Sequence, residues 1–188
     1  MGATKLRGYL SDARAHERVY IIEMMGRRSG FHALYSCLGS RAHMAVVPEM
    51  RPDFTAVIES LNRRDHAVIA VAEGFGKKDP AREAEKLNAA EYFVKKLNET
   101  GIESNKRIVT ESFSRDIRGA IPNNTDIALA QRMAAGTVKN LLAGETEFMY
   151  AVNGNDEDVL AFDVIATDNT VPARLVSLAN RLTGRRSR

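Results

Sequence analysis

Apolar and polar positions along the chain fall into blocks of two different periods. Residues 4–15 carry apolar side chains at helical spacing, and the run Arg18–Met24 (RVYIIEM) is rich in strand formers. Residues 29–40 again read as a helix, Ala45–Pro48 (AVVP) as a short strand, and Asp53–Arg64 as a helix with Phe54, Val57, Ile58 and Leu61 on one side. His66–Glu73 (HAVIAVAE) is a continuous apolar run of the kind found in a strand covered on both faces. Pro80 suits the first turn of a long helix that Gly101 would end, and Lys106–Glu111 is a fourth strand.

Beyond that point the pattern changes. Asn124 or Thr125 is placed to cap a helix reaching about Ala143. The segments 147–152 and 158–166 flank Asn153-Gly154, a hairpin signal, and a last helix is expected over 172–182. Four strands alternating with helices predict an α/β fold, three αβα layers around a mostly parallel sheet.

In open sheets of this class, ligands bind beyond the carboxyl ends of the strands. Those ends are chemically unusual here: Met25-Gly26-Arg27-Arg28-Ser29-Gly30 after the first strand, Pro48-Glu49 after the second, Glu73-Gly74-Phe75-Gly76 after the third, and Ser114-Arg115-Asp116-Ile117-Arg118-Gly119 after the fourth. Arginine forks bind phosphate oxygens in pairs of hydrogen bonds, and a carboxylate accepts from sugar hydroxyls. A helix starting near Ser29 would add backbone N–H donors for an anion. Taken singly, each feature has a plainer explanation: Arg27 and Arg28 as solvated loop residues, Glu73 as a cap, Met24 and Met25 as core filler. Their coincidence at one sheet edge predicts a site for a phosphorylated, hydroxyl-rich ligand.

Composition narrows the classes. The 188 residues carry 27 basic and 24 acidic side chains, a net +3, without the concentrated basic stripe of a nucleic-acid binder; the densest basic run is the tail 184–188. No apolar stretch is long enough for a membrane span, and the first residues lack the apolar core of a secretory signal. His16, His32, His43 and His66 share no metal-ligand spacing with each other or with the single cysteine, Cys37. The expectation is a cytoplasmic protein that binds neither membrane nor nucleic acid and carries no metal site of its own.

The string 18–30 closely resembles the sugar-phosphate motif of the phosphofructokinase family. Agreement continues in order through Val47-Pro48-Glu49, Val71-Ala72-Glu73-Gly74, Ile117-Arg118-Gly119-Ala120-Ile121-Pro122, Asp126 with the helix to Gly144, and the closing stretch from Val171-Pro172. The resemblance implies binding of fructose 6-phosphate, with Met25, Gly26 and Arg27 lining the sugar, Glu73 accepting from its hydroxyls and Arg118 holding the 6-phosphate. Arg115 stands where many members carry a phosphate-touching histidine, and Arg107 is the nearest match to a further family arginine, about two residues out of register. Arg18 opens the strand that leads to Arg27, about 30 Å away when extended, so one chain cannot bring both to one pocket. In the family the matching arginine reaches a neighbouring subunit, which implies a homo-oligomer, a dimer or a tetramer.

By the same resemblance, 1–118 is the sugar-phosphate domain, 119–166 a helix and hairpin that return to a donor-binding half, and 167–188 a helix returning to the first domain. The family's Gly-Gly-Asp loop for donor and magnesium, and its Thr-Ile-Asp-Asn-Asp motif for the catalytic base, occur nowhere in the sequence. The chain therefore resembles the C-terminal half of a 6-phosphofructokinase, a glycolytic phosphotransferase. Mg2+ and ATP or pyrophosphate would be held mainly by the other half, no catalytic residue lies in these 188, and the chain alone is expected to be inactive. The alternative is a non-catalytic sugar-phosphate-sensing or regulatory subunit acting with a catalytic partner.

Overall fold

The computed structural model describes residues 1–103, 105–165 and 170–180, and of Arg115 the backbone alone. The chain divides into two compact units, Met1–Arg118 with Asn169–Arg188, and Gly119–Asp168.

In the first unit, α1 (Gly2–His16), β1 (Arg18–Met24), α2 (Phe31–Ser40), β2 (Met44–Val46), α3 (Phe54–Asn62), β3 (Ala67–Ala72), α4 (Pro80–Ala84), α5 (Ala89–Thr100), β4 (Arg107–Phe113), α6 (Arg115–Arg118) and α8 (Ala173–Ala179) follow in order. The four strands are all parallel in the order β2-β3-β1-β4. Alternation along β1 sends Tyr20, Ile22 and Met24 to one face, packed with Leu6 of α1, Leu34 of α2 and Ala179 of α8. Val19 and Ile21 face the other way, onto Val57 and Leu61 of α3 and Phe93 and Leu97 of α5. Helices on both faces of a parallel sheet make the three αβα layers that the sequence predicts.

The expected long helix from Pro80 is two helices. Asp79 caps α4, accepting from the Ala81 N–H at 2.9 Å, but Lys86 turns left-handed at φ 53° and Asn88 starts α5 with a capping box closed by Glu91. A second capping signal inside a helical pattern thus marks a break. Gly101, at φ 95°, ends α5.

The second unit holds α7 (Asn124–Leu142), the antiparallel hairpin of β5 (Phe148–Asn153) and β6 (Asp156–Ala161), and a short 3-10 turn at Phe162–Val164. Its helix is capped one position earlier than expected, by Asn123, which accepts from the Asp126 N–H at 2.8 Å. Asn153 pairs with Asp156, so the turn is Gly154-Asn155 rather than Asn153-Gly154, with Gly154 alone taking positive φ, 65°. That is the residue order of a type II′ turn. Strand β6 starts and stops earlier than expected, and the expected end at 166 lies outside the described residues, as does the end of the last helix at 182. No helix among the described residues is long and apolar enough to cross a membrane.

Candidate functional site

Strands β1, β3 and β4 end side by side, and their exits are tied together through the main chain. The Glu73 N–H donates to the Met24 carbonyl at 2.9 Å and the Met25 N–H to the Phe113 carbonyl at 3.1 Å. After β1 the chain turns tightly, with the Ser29 N–H donating to Gly26 O at 2.9 Å. A Cβ on Gly26 would lie 2.6 Å from the Ser29 carbonyl, so the turn demands glycine there. Arg27 takes a left-handed φ of 50°, an uncommon setting for a side chain with a Cβ and one that needs support from its surroundings.

Glu73 provides that support. Its Oε2 accepts the N–H of Arg27 at 2.8 Å and of Gly26 at 3.0 Å. Among the described residues Oε1 accepts no hydrogen bond, which leaves it open to a ligand's donor. Burial pushes this carboxyl up, but the two backbone donors, with the charges of Lys77 and Arg27, outweigh it and hold the group below the usual carboxylate range. Glu73 is therefore an anion at neutral pH. The two turns pack backbone to backbone: a Cβ on Gly74 would meet the Arg27 carbonyl at 2.6 Å and Pro48 Cγ at 2.9 Å.

The structure thus brings Met25, Gly26, Arg27 and Glu73 together. Directly after Phe113, α6 carries Arg115 and Arg118; the Arg118 N–H donates to Ser114 O at 3.3 Å, and the Arg115 side chain lies outside the described residues. Arg27 and Arg118 are exposed, and neither guanidinium makes a hydrogen bond or ion pair with another described residue. Arg28 is exposed on the same turn as Arg27. Glu49 faces another task, accepting the Val171 N–H at 3.2 Å and so anchoring the segment that leads into α8.

Arg18 and Arg107 are not brought to this edge. They stand in register at the opposite, amino-terminal end of the sheet, where Arg18 Nη1 lies 3.3 Å from the Tyr20 hydroxyl and 3.7 Å from Asp12. The helix after the first turn begins at Phe31 rather than Ser29. Gly30 packs against Val47, where a Cβ would approach to 2.6 Å. Among the described residues no three His, Cys, Asp or Glu side chains gather to hold a metal ion.

Sequence reasoning missed what lies under the site. Arg82 reaches beneath the Glu73 loop and Glu23 meets it from β1, Nη2 to Oε2 3.7 Å, with both side chains nearly buried (11% and 13% exposed). The available signal was Glu23 itself, a lone carboxylate inside an otherwise apolar strand that needs a buried partner.

The comparisons agree with this architecture. The family described as Phosphofructokinase matches residues 4–141. Among sequence relatives, an ATP-dependent 6-phosphofructokinase of Brevibacillus brevis is 33% identical over 176 residues, covering 90% of this chain and 50% of that protein. Another, from Halothermothrix orenii, is 32% identical over 179 residues, covering 90% and 52%. Among solved structures, the pyrophosphate-dependent phosphofructokinase of Nitrosospira multiformis superposes with a TM-score of 0.75 at 17% identity, covering 92% of this chain and 47% of that one. The Pichia pastoris phosphofructokinase in the T-state gives 0.69 at 17% identity, covering 99% and 25%. The chain spans about half the length of the curated relatives it matches. With the family profile matching nearly three quarters of its residues, this chain belongs to the phosphofructokinase family.

Proposed function

We propose that the chain supplies the sugar-phosphate-binding part of a 6-phosphofructokinase, which moves a phosphoryl group from ATP or pyrophosphate to the 1-hydroxyl of fructose 6-phosphate. The observation that carries this reading is the Glu73 carboxylate, anchored through one oxygen by the Gly26 and Arg27 N–H groups, while its other oxygen accepts from no described residue and is left for a sugar hydroxyl. In this reading Met25, Gly26 and Arg27 line the sugar. Arg118 takes the 6-phosphate, with Arg115 beside it on α6. Arg18 and Arg107, at the far end of the sheet, can serve only a site on another copy, which calls for a homo-oligomer, a dimer or a tetramer.

The donor set of this chain does not fit a magnesium site: Glu73 is engaged by backbone donors, Glu23 by Arg82, and no third ligand gathers beside either among the described residues. Magnesium and the phosphoryl donor are accordingly assigned to residues outside this sequence. Residues 119–166 are assigned to packing on a donor-binding half, the segment 167–188 to the sugar-phosphate domain, and the setting to the cytoplasm.

Calorimetry on the chain with fructose 6-phosphate and with fructose tests the site. The phosphorylated sugar should bind more tightly, and Arg118→Ala should cost about 1.5–3 kcal/mol of that preference. Equal affinity for the two sugars would overturn the phosphate role. The alternative reading is a non-catalytic sugar-phosphate-sensing or regulatory subunit that acts with a catalytic partner, using the same Glu73 site. Both readings predict no turnover by this chain with either donor, so turnover above a mock preparation contradicts both. Coupled assays with an added donor-binding half separate them, since only the first predicts that activity appears on reconstitution and disappears with Glu73→Gln.

A further inference from the structure

We infer that Arg82 is a positioning residue of this site, holding the Glu73 loop so that the carboxylate meets the Gly26 and Arg27 N–H groups. The inference rests on the reading of Glu73 as the sugar-hydroxyl acceptor and names a second residue through which that acceptor is held.

The loop that follows β3 turns its carbonyls away from the sheet ladder, and buried carbonyls need donors. Arg82 supplies them. Its Nη1 donates to Glu73 O at 2.9 Å and also to Phe75 O, while its Nε donates to Leu87 O at 3.0 Å, in the break between α4 and α5. Three main-chain acceptors on two segments are thus gathered by one planar cation, a task that the fork geometry of arginine suits and the point charge of lysine does not. Its charge is matched by Glu23, which also accepts from the Ala89 N–H at the start of α5 and from Ser112 Oγ of β4 at 3.3 Å.

The pair therefore fastens the exits of three parallel strands at once. Glu23 stands on β1 directly before Met24, whose carbonyl accepts the Glu73 N–H, and Ser112 stands directly before Phe113, whose carbonyl accepts the Met25 N–H. Arg82 reaches the Glu73 backbone from below, whereas the Glu73 carboxylate reaches Gly26 and Arg27. Arg82 hydrogen-bonds the Glu73 carbonyl and makes no hydrogen bond or ion pair with the Glu73 carboxylate, so its effect on a ligand passes through the position of Glu73. The left-handed Arg27 depends on the same arrangement, because its N–H is held by that carboxylate.

Two variants test this. Arg82→Met leaves the Glu23 carboxylate nearly buried without its cation and risks unfolding the chain. Arg82→Lys keeps the charge, folds more safely, and loses the fork. By amide hydrogen exchange, Arg82→Lys should speed exchange at Gly26 and Arg27 by about tenfold or more, leaving Ile69 and Ala70 in the middle of β3 unchanged. In parallel, the variant should weaken fructose 6-phosphate binding by about tenfold in the wild-type background and by less than about twofold in a Glu73→Gln background, because the group through which it acts is already altered. Unchanged exchange at Gly26 and Arg27 would overturn the inference, as would an equal loss of affinity in both backgrounds, the mark of a general structural role. Should the wild-type chain bind no fructose 6-phosphate while exchange at Gly26 and Arg27 rises in Arg82→Lys, the positioning of Glu73 stands and it is the sugar-phosphate reading that fails.

Discussion

Strand β3 is buried at all six of its positions, whereas strand β6, of the same length, is exposed at all but one. The contrast extends to the units that contain them. Met1–Arg118 encloses two clusters of buried side chains, one on each face of its sheet. Among the described residues of Gly119–Asp168 none is buried. The apolar side chains of α7 stand in the open instead, Leu129 at 40% exposed and Leu142 at 84%. A hairpin of two strands is marginal in water unless something covers a face. What this unit has is local: Tyr150 lies where a Cβ on Gly136 would stand, and Arg132 pairs with Glu157 at 3.1 Å. One unit is specified by its own interior, and the other presents surface.

The largest expected effect breaks or upholds that contrast directly. Phe93→Ala removes a fully buried ring and should cost about 3–5 kcal/mol in urea unfolding, while Leu142→Ala in α7 should stay within about 0.5 kcal/mol. Similar costs at the two positions would mean that the second unit has an interior after all. Association of the chain is the complementary reading of the same surface: replacing Leu141 and Leu142 by lysine should lower light scattering of the purified chain, and unchanged scattering would remove that surface as its cause.

An intermediate effect separates the two helix caps. Asn88 and Asn123 both form capping boxes, and either change to Ala should cost about 1 kcal/mol locally. Asn88→Ala should lower the stability of the whole first unit, because α5 carries Phe93 and Leu97 into its core. Asn123→Ala should reduce helical circular dichroism without moving the main unfolding transition. A shift of that transition by both variants would show the two units to be cooperative.

These differences also explain what was legible in the sequence. The runs RVYIIEM and HAVIAVAE announce themselves because a strand covered on both faces is mostly apolar and rich in strand formers, and their structure agrees nearly to the residue. The break between α4 and α5 was not legible from periodicity, since Asn88 and Glu91 look like ordinary surface positions of one long helix until the capping box is recognised. The end of β6 was obscured because strand and 3-10 turn share the same mixture of apolar and acidic residues there. At the site, Gly26, Arg27 and Glu73 could be placed together because parallel strands present their carboxyl ends on one edge. Arg107 was matched to a family arginine by likeness alone, and its register with Arg18 stands it at the amino-terminal end of the sheet. The Arg82–Glu23 pair joins residues remote in sequence, and no local spacing reveals such a pairing.

The smallest expected effect concerns pH. The Glu73 carboxyl is held below its unfolded value, so the folded chain binds this proton less readily than the unfolded one. Its contribution is complete at neutral pH, fades as pH falls through the ordinary carboxylate range, and is gone below the folded value. Glu73→Gln should flatten that acid limb of the stability curve; an acid limb identical to wild type would show that Glu73 carries no such linkage.

The most direct test of the whole account is amide chemical-shift mapping of the chain during titration with fructose 6-phosphate. The account predicts that the largest shifts fall at Gly26, Arg27, Glu73, Gly74 and Arg118, at the carboxyl ends of β1, β3 and β4, while the amides of α7, β5 and β6 stay in place. Shifts concentrated in Gly119–Asp168, with Gly26, Arg27 and Glu73 unmoved, would contradict it.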